Sequence, residues 1–318
     1  MQLKNKTWSG AIKKVAIGNT PDQGGTRAET IVVGGTNTLP FHTFEGSHPH
    51  PPVVALEVTD IDPVDWIDTI REPFNGVLND PVAWSRLAVE KYGAKLLCLN
   101  LRGTDPDREN KSPAEAADLV KAVLKSVKVP LIIKGPGPSD KQDEVLSKCA
   151  EAAAGERCLI ASAYEDHYKT LVAACIAYGH TLAAETPIDV NLAKQLNILL
   201  KDMNFPLGHI IMDPLTGGLG YGLEYTYSVM ERIRLQALGG DEMMQMPFIC
   251  FVGREAWKVK EVKDPGIEPP SALFWEMTTA ISLCAAGADI LVLRHPEAAI
   301  HVARAIEEWS RAPAKTES

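Results

Sequence analysis

Close cysteine pairs are missing from this chain of 318 residues, and with them the simplest ways of holding metal. The six cysteines stand at 98, 149, 158, 175, 250 and 284, with no C-x-x-C spacing of the kind that structural zinc and iron–sulfur sites use. Cys98, Cys158 and Cys250 lie inside apolar runs, where a reduced thiol acts as a small hydrophobe. Clustered basic residues are also lacking. A net charge of -9 and a pI near 5.4 argue against nucleic acid as a partner, because phosphate binding needs a basic surface. No apolar run approaches the roughly 18 residues of a membrane span, and MQLKNKTWSGAIKKV holds no signal-type apolar core. These absences lead us to expect a cytoplasmic protein with neither a membrane nor a nucleic-acid partner. The motifs H-E-x-x-H, G-x-G-x-x-G and the nucleophile elbow are absent too, so spacing alone names no catalytic pair and no metal site. S-H-P-H at 47 to 50 sits beside prolines and reads as a solvated loop.

What is present is a rhythm. Apolar runs short enough for strands recur at 53 to 58, 96 to 101, 131 to 135, 158 to 163, 180 to 185, 209 to 213, 248 to 252 and 289 to 294. Each is followed by a helical pattern. Ser112-Pro113-Ala114-Glu115 has the cap, proline and acid of a helix start, and Gly93, Gly155, Gly179 and Gly287 stand where helix ends are expected. Nearly continuous apolar strands suit a parallel sheet covered on both faces, and eight cycles predict a (β/α)8 TIM barrel, with an open doubly wound sheet as the alternative.

Residues 1 to 52 have a different pattern: AIKKVAIG and ETIVVGG flank the turn-rich NTPDQGGTRA, which predicts an N-terminal β-hairpin extension covering the bottom of a barrel formed by residues 53 to 310. Residues 311 to 318 are small and polar, and are expected to fray.

Barrel function concentrates at the C-terminal ends of the strands, and the residues there are polar. They are Asp60, Asn100, Arg102, Thr104, Asp105, Lys134, Ser162, Glu185, Asp213, Arg254 and Arg294. Lys134, Glu185 and Asp213 are read either as an internal ion network or as ligand contacts. The segment MDPLTGGLGYG adds Thr216 and Tyr221, and its glycines Gly217, Gly218, Gly220 and Gly222 allow close backbone approach to a flat or anionic ligand. Long connections at 59 to 79, 213 to 222 and 253 to 270 would crowd the same mouth, the first with an extra helical turn and the last with an exposed Trp257.

Nearly the whole chain, through LNLRGTDPD, KGPG, MDPLTGGLGYG and ALFWEMTTAISLCAAGADILVLRHPEA, resembles the small subunit of the corrinoid iron–sulfur protein of the reductive acetyl-CoA pathway, the delta-type subunit of acetyl-CoA decarbonylase/synthase complexes. That resemblance implies a barrel paired one-to-one with a large subunit, with the iron–sulfur cluster in that partner only and a cobamide at the interface between them. It further implies a methyl group taken from methyltetrahydrofolate through a separate methyltransferase and passed to acetyl-CoA synthase. This chain would cap the cobamide and perform no independent catalysis. Carried over, the resemblance puts Asn100, Arg102, Thr104, Asp105, Asp213, Thr216, Gly217, Gly218, Tyr221 and Gly222 near the cobamide, and Lys134 of KGPG joins them. The sequence has no D-x-H-x-x-G to supply a histidine to cobalt, which suits base-off cobalt. Two other readings stand beside this one. Pterin-binding barrels, the folate-dependent methyltransferases and dihydropteroate synthases, also use acids and amides at strand ends, as Asp60, Asn100 and Asp213 would be used. A purely structural barrel is the third.

Overall fold

The computed structural model describes residues 6–42, 44–264 and 266–310. Two short strands open it, β1 (Val15–Ile17) and β2 (Ile31–Val33), paired antiparallel with Val15 opposite Val33 and Ile17 opposite Ile31. Eight parallel strands then close into a barrel: β3 (Val53–Thr59), β4 (Leu97–Asn100), β5 (Leu131–Lys134), β6 (Leu159–Ala163), β7 (Thr181–Glu185), β8 (Ile210–Asp213), β9 (Phe248–Cys250) and β10 (Ala288–Leu293), with β10 against β3. The helices are α1 (Asp68–Arg71), α2 (Pro81–Glu90), α3 (Pro113–Ser126), α4 (Asp140–Ala152), α5 (Lys169–Tyr178), α6 (Val190–Asp202), α7 (Leu223–Leu238), α8 (Val252–Ala256), α9 (Pro269–Ala286) and α10 (Pro296–Ser310). The protein is a TIM barrel with a hairpin at its N-terminus.

Local chemistry explains the boundaries. Ser112 caps α3 by accepting the Glu115 N–H, and the Glu115 carboxylate accepts the Ser112 N–H in return. Gly179 and Gly287 end α5 and α9 in the left-handed conformation. Gly93 and Gly155 also have positive φ but lie beyond the caps, which are Lys91 and Ala153. The apolar run at 248 to 252 is only partly strand, because Val252 already begins α8.

Two apolar layers hold the barrel together. Side chains alternate along a strand, so Leu97 and Leu99 pack outward beneath the helices while Cys98 faces the barrel axis. The inward layer joins Ala55, Cys98, Ile132, Ala183, Ile211 and Val292 with Val15, Ile17, Ile31 and Val33 of the hairpin, all buried. Arg27, between the hairpin strands, is fully buried and fixes them to the end of α3 through the carbonyls of Leu124 and Val127, and to Glu156 at 2.8 Å. Among the described residues no helix is long and apolar enough to cross a membrane. The tail from 311 to 318 lies outside them.

Candidate functional site

One step of two along each strand leads from the apolar inner layer to its polar end. Ala55 leads to Glu57, Cys98 to Asn100, Ile132 to Lys134, Ala183 to Glu185, Ile211 to Asp213 and Val292 to Arg294. Period-two alternation therefore aims all six polar side chains inward at the C-terminal mouth. Such groups need partners once buried, and they find one another.

Glu57 accepts Arg294 Nε at 2.8 Å and Asn100 Nδ2 at 2.7 Å. Burial alone would raise its carboxyl, but the Arg294 charge and these hydrogen bonds outweigh it and hold the group below the usual carboxylate range. The Arg294 guanidinium also lies 4.4 Å over the Trp66 ring. On the other side Lys134 Nζ stands 3.5 Å from Glu185 and 4.0 Å over the Phe251 ring. Tyr164 donates to Glu185 at 3.0 Å, and Arg254 approaches it at 3.7 Å. Burial opposes ionisation of Glu185 too, yet Lys134 and its hydrogen bonds keep its carboxyl below the usual range. Asp213, its in-register neighbour on β8, is pushed up to about 8, first by burial and then by the charge of Glu185. These two neighbouring acids are thus pushed in opposite directions, Glu185 downward and Asp213 upward.

Above this floor opens a cavity of about 260 Å³. Asn100, Arg102, Asp105 and Lys134 line it. Arg102 grips both oxygens of Asp65 at 2.9 and 2.7 Å, and Trp66 and Trp257 supply apolar wall. Trp257, expected to be exposed, is 4 % exposed, because the connection after α8 folds back and packs the indole into the core.

The remaining candidates lie elsewhere. Thr104 is fully buried and donates to the Leu101 carbonyl in a short 3-10 turn. Asp213 sits beneath the cavity, where it accepts the Leu215 N–H. Thr216, Gly217, Gly218, Tyr221 and Gly222 do not line the cavity. The glycine-rich turn closes on itself: a Cβ on Gly217 would fall 2.4 Å from the Gly222 carbonyl, and one on Gly218 would point at the Glu255 carbonyl at 3.3 Å. Tyr221 is half exposed and donates to Glu261. Asp60 accepts the Gly103 N–H at 2.8 Å and so braces the turn that carries Arg102. Sequence reasoning missed Glu57, whose signal was an acid inside an apolar run. It also left Asp65, Trp66, Lys258 and Lys263 unnamed, although they lie in the long connections expected at this mouth, and it missed Arg108.

The fold defines a class first. Dihydropteroate synthase from Xanthomonas albilineans bound to 4-aminobenzoic acid superposes with a TM-score of 0.57 at 15% identity, covering 83% of this chain and 95% of that one. The enzyme from Stenotrophomonas maltophilia gives 0.57 over 87% of this chain and 100% of its own. At such identity the likeness shows a shared barrel fold.

Sequence goes further. The chain belongs to the CO dehydrogenase/acetyl-CoA synthase delta subunit family, which it matches over residues 14–311. The acetyl-CoA decarbonylase/synthase complex subunit delta of Archaeoglobus fulgidus is 38% identical over 302 residues, covering 92% of this chain and 67% of that protein. The delta subunit of Methanosarcina mazei is 39% identical over 300 residues, with 91% and 68% covered. That of Methanopyrus kandleri is 38% identical over 303 residues, with 94% and 75% covered.

Proposed function

We infer that this chain is the barrel subunit of a corrinoid methyl carrier, which caps a cobamide held together with a large subunit. The methyl group comes from methyltetrahydrofolate through a separate methyltransferase and leaves to acetyl-CoA synthase, and the iron–sulfur cluster belongs to the large subunit. The observation that carries this reading is the family match across residues 14–311, at 38% identity to proteins named as subunits of acetyl-CoA decarbonylase/synthase complexes.

The chemistry of the mouth fits such a group. A cobamide offers amide side chains and a phosphodiester at its rim, and Asn100, Arg102, Lys134 and Arg254 are donors suited to carbonyl and phosphate oxygens. About 260 Å³ lies below the usual range of small-molecule pockets, too little for a macrocycle inside, which suits a barrel that covers one. When bound, the cobamide supplies a cobalt centre able to accept a methyl group and hand it on. This chain's part is to bind the rim, exclude water and move aside for transfer.

The test is reconstitution with the large subunit. Cobalt absorption and the rate of methylation are compared with and without this chain, and both are expected to change on its removal. An unchanged spectrum with an unchanged rate leaves only a structural subunit. The dihydropteroate synthase likeness supports a second reading, a pterin-binding barrel, and saturable binding of methyltetrahydrofolate by this chain alone favours it.

A further inference from the structure

Seven basic and two acidic side chains line the cavity, on a chain whose net charge is -9. The inner cations have partners: Arg294 has Glu57, Lys134 has Glu185, and Arg102 holds Asp65 with two hydrogen bonds from one nitrogen. Two at the rim are poorly matched. Lys263 makes no ion pair among the described residues, and Arg108 reaches only Asp65, at 3.7 Å, an acid that Arg102 already occupies. Arg102 keeps its other terminal nitrogen, Nη1, buried and without a hydrogen-bond partner among the described residues. Arg108 comes from the connection after β4 and Lys263 from the connection after α8. Barrel closure brings these two loops to one cavity with only β10 and β3 between their strands.

We propose that this cavity binds a phosphate- or carboxylate-bearing small molecule, with its oxyanion held by Arg108 and Lys263 and further donors from Arg102. A concave wall with an excess of one sign of charge at its rim concentrates counter-ions, and a guanidinium matches the oxygens of phosphate or carboxylate in a way a neutral ligand cannot use. The volume sets the size: a pyrophosphate or a short dicarboxylate fits about 260 Å³. Trp66 and Trp257, which also line the cavity, would meet the uncharged part of a dicarboxylate. The site shares Arg102 with the face assigned to the cobamide and goes beyond the corrinoid reading in needing no large subunit, since this chain alone assembles it.

Titration calorimetry on the full chain tests it, with inorganic pyrophosphate and glutarate as probes and sodium chloride holding the ionic strength constant. Saturable binding of at least one probe is expected, and the tighter of the two assigns phosphate or carboxylate. Arg108 and Lys263 are both exposed, so the Arg108→Ala/Lys263→Ala double variant should fold as the parent does, which circular dichroism checks. It should bind on the order of tenfold more weakly or worse. Lys148→Ala, which removes a surface pair with Glu151 in α4, should bind as the parent does. No saturable binding of either probe, or equal affinity in the double variant, overturns the proposal. A chain that binds neither anion yet still alters the cobalt spectrum with the large subunit sinks this site alone. Anion binding by a chain that leaves both that spectrum and the methylation rate unchanged sinks the corrinoid reading alone.

Discussion

Asp213 and Glu185 stand in register on adjacent strands, and at neutral pH the charge resides on Glu185. The asymmetry has a cause: Lys134, Tyr164 and Arg254 all turn toward Glu185, whereas Asp213 accepts the Leu215 N–H. An acid whose carboxyl is raised to about 8 in the fold, from near 3.9 unfolded, favours the folded state most below the unfolded value. That contribution is lost as pH rises through about 8, by at most about 1.4 kcal/mol per pH unit. Asp213→Asn keeps the neutral shape and the acceptor for Leu215. The variant should therefore lose less stability than the parent between about pH 5 and about pH 9, read as the pH dependence of Tm. Equal slopes would mean that Asp213 is ionised in the fold. Glu276 on α9, pushed up to about 7 by burial against the two backbone N–H groups it accepts, has the same sign and accounts for a residual slope.

The turn between β8 and α7 shows what a glycine run does and does not reveal. Gly217 meets the Gly222 carbonyl where a Cβ would be, while Gly220, with φ of +74°, has open space apart from Trp275 at 3.9 Å. Gly217→Ala should cost about 2 kcal/mol or more by forcing the turn apart, and Gly220→Ala less, from backbone strain alone, as measured by denaturant unfolding. Equal costs would mean that the turn is loose in solution. Four glycines in six residues specify close approach without saying of what, and at Gly217 the approach is to the turn's own backbone. The cavity was half legible for a related reason. Asn100, Arg102, Asp105 and Lys134 follow strand runs that can be read directly, and period-two counting aims Asn100 and Lys134 inward. Arg108 and Lys263 carry no local pattern, and they share a cavity only because closure of the barrel brings together loops about 150 residues apart in the chain.

At the scale of the whole molecule, eight strands were legible because their apolar runs are nearly uninterrupted, and the hairpin because valine and isoleucine alternate on either side of a turn. What sequence could not supply was the depth of the union between them. Val15, Ile17, Ile31 and Val33 share one buried layer with the first inward residues of the barrel strands, and Arg27 is anchored beneath α3. A plug joined in this way should melt with the barrel. Ile17 is fully buried, so Ile17→Ala should cost about 2 to 5 kcal/mol. Far-ultraviolet circular dichroism and tryptophan fluorescence should still report one coincident transition at a lower Tm, since five of the six tryptophans, Trp66 and Trp84 among them, lie beyond the hairpin in the barrel segment and only Trp8 precedes it. If the fluorescence midpoint stays at the parent value while an earlier, small change appears in circular dichroism, the hairpin is an appendage that folds apart. The inner layer would then have to be closed by the barrel strands alone.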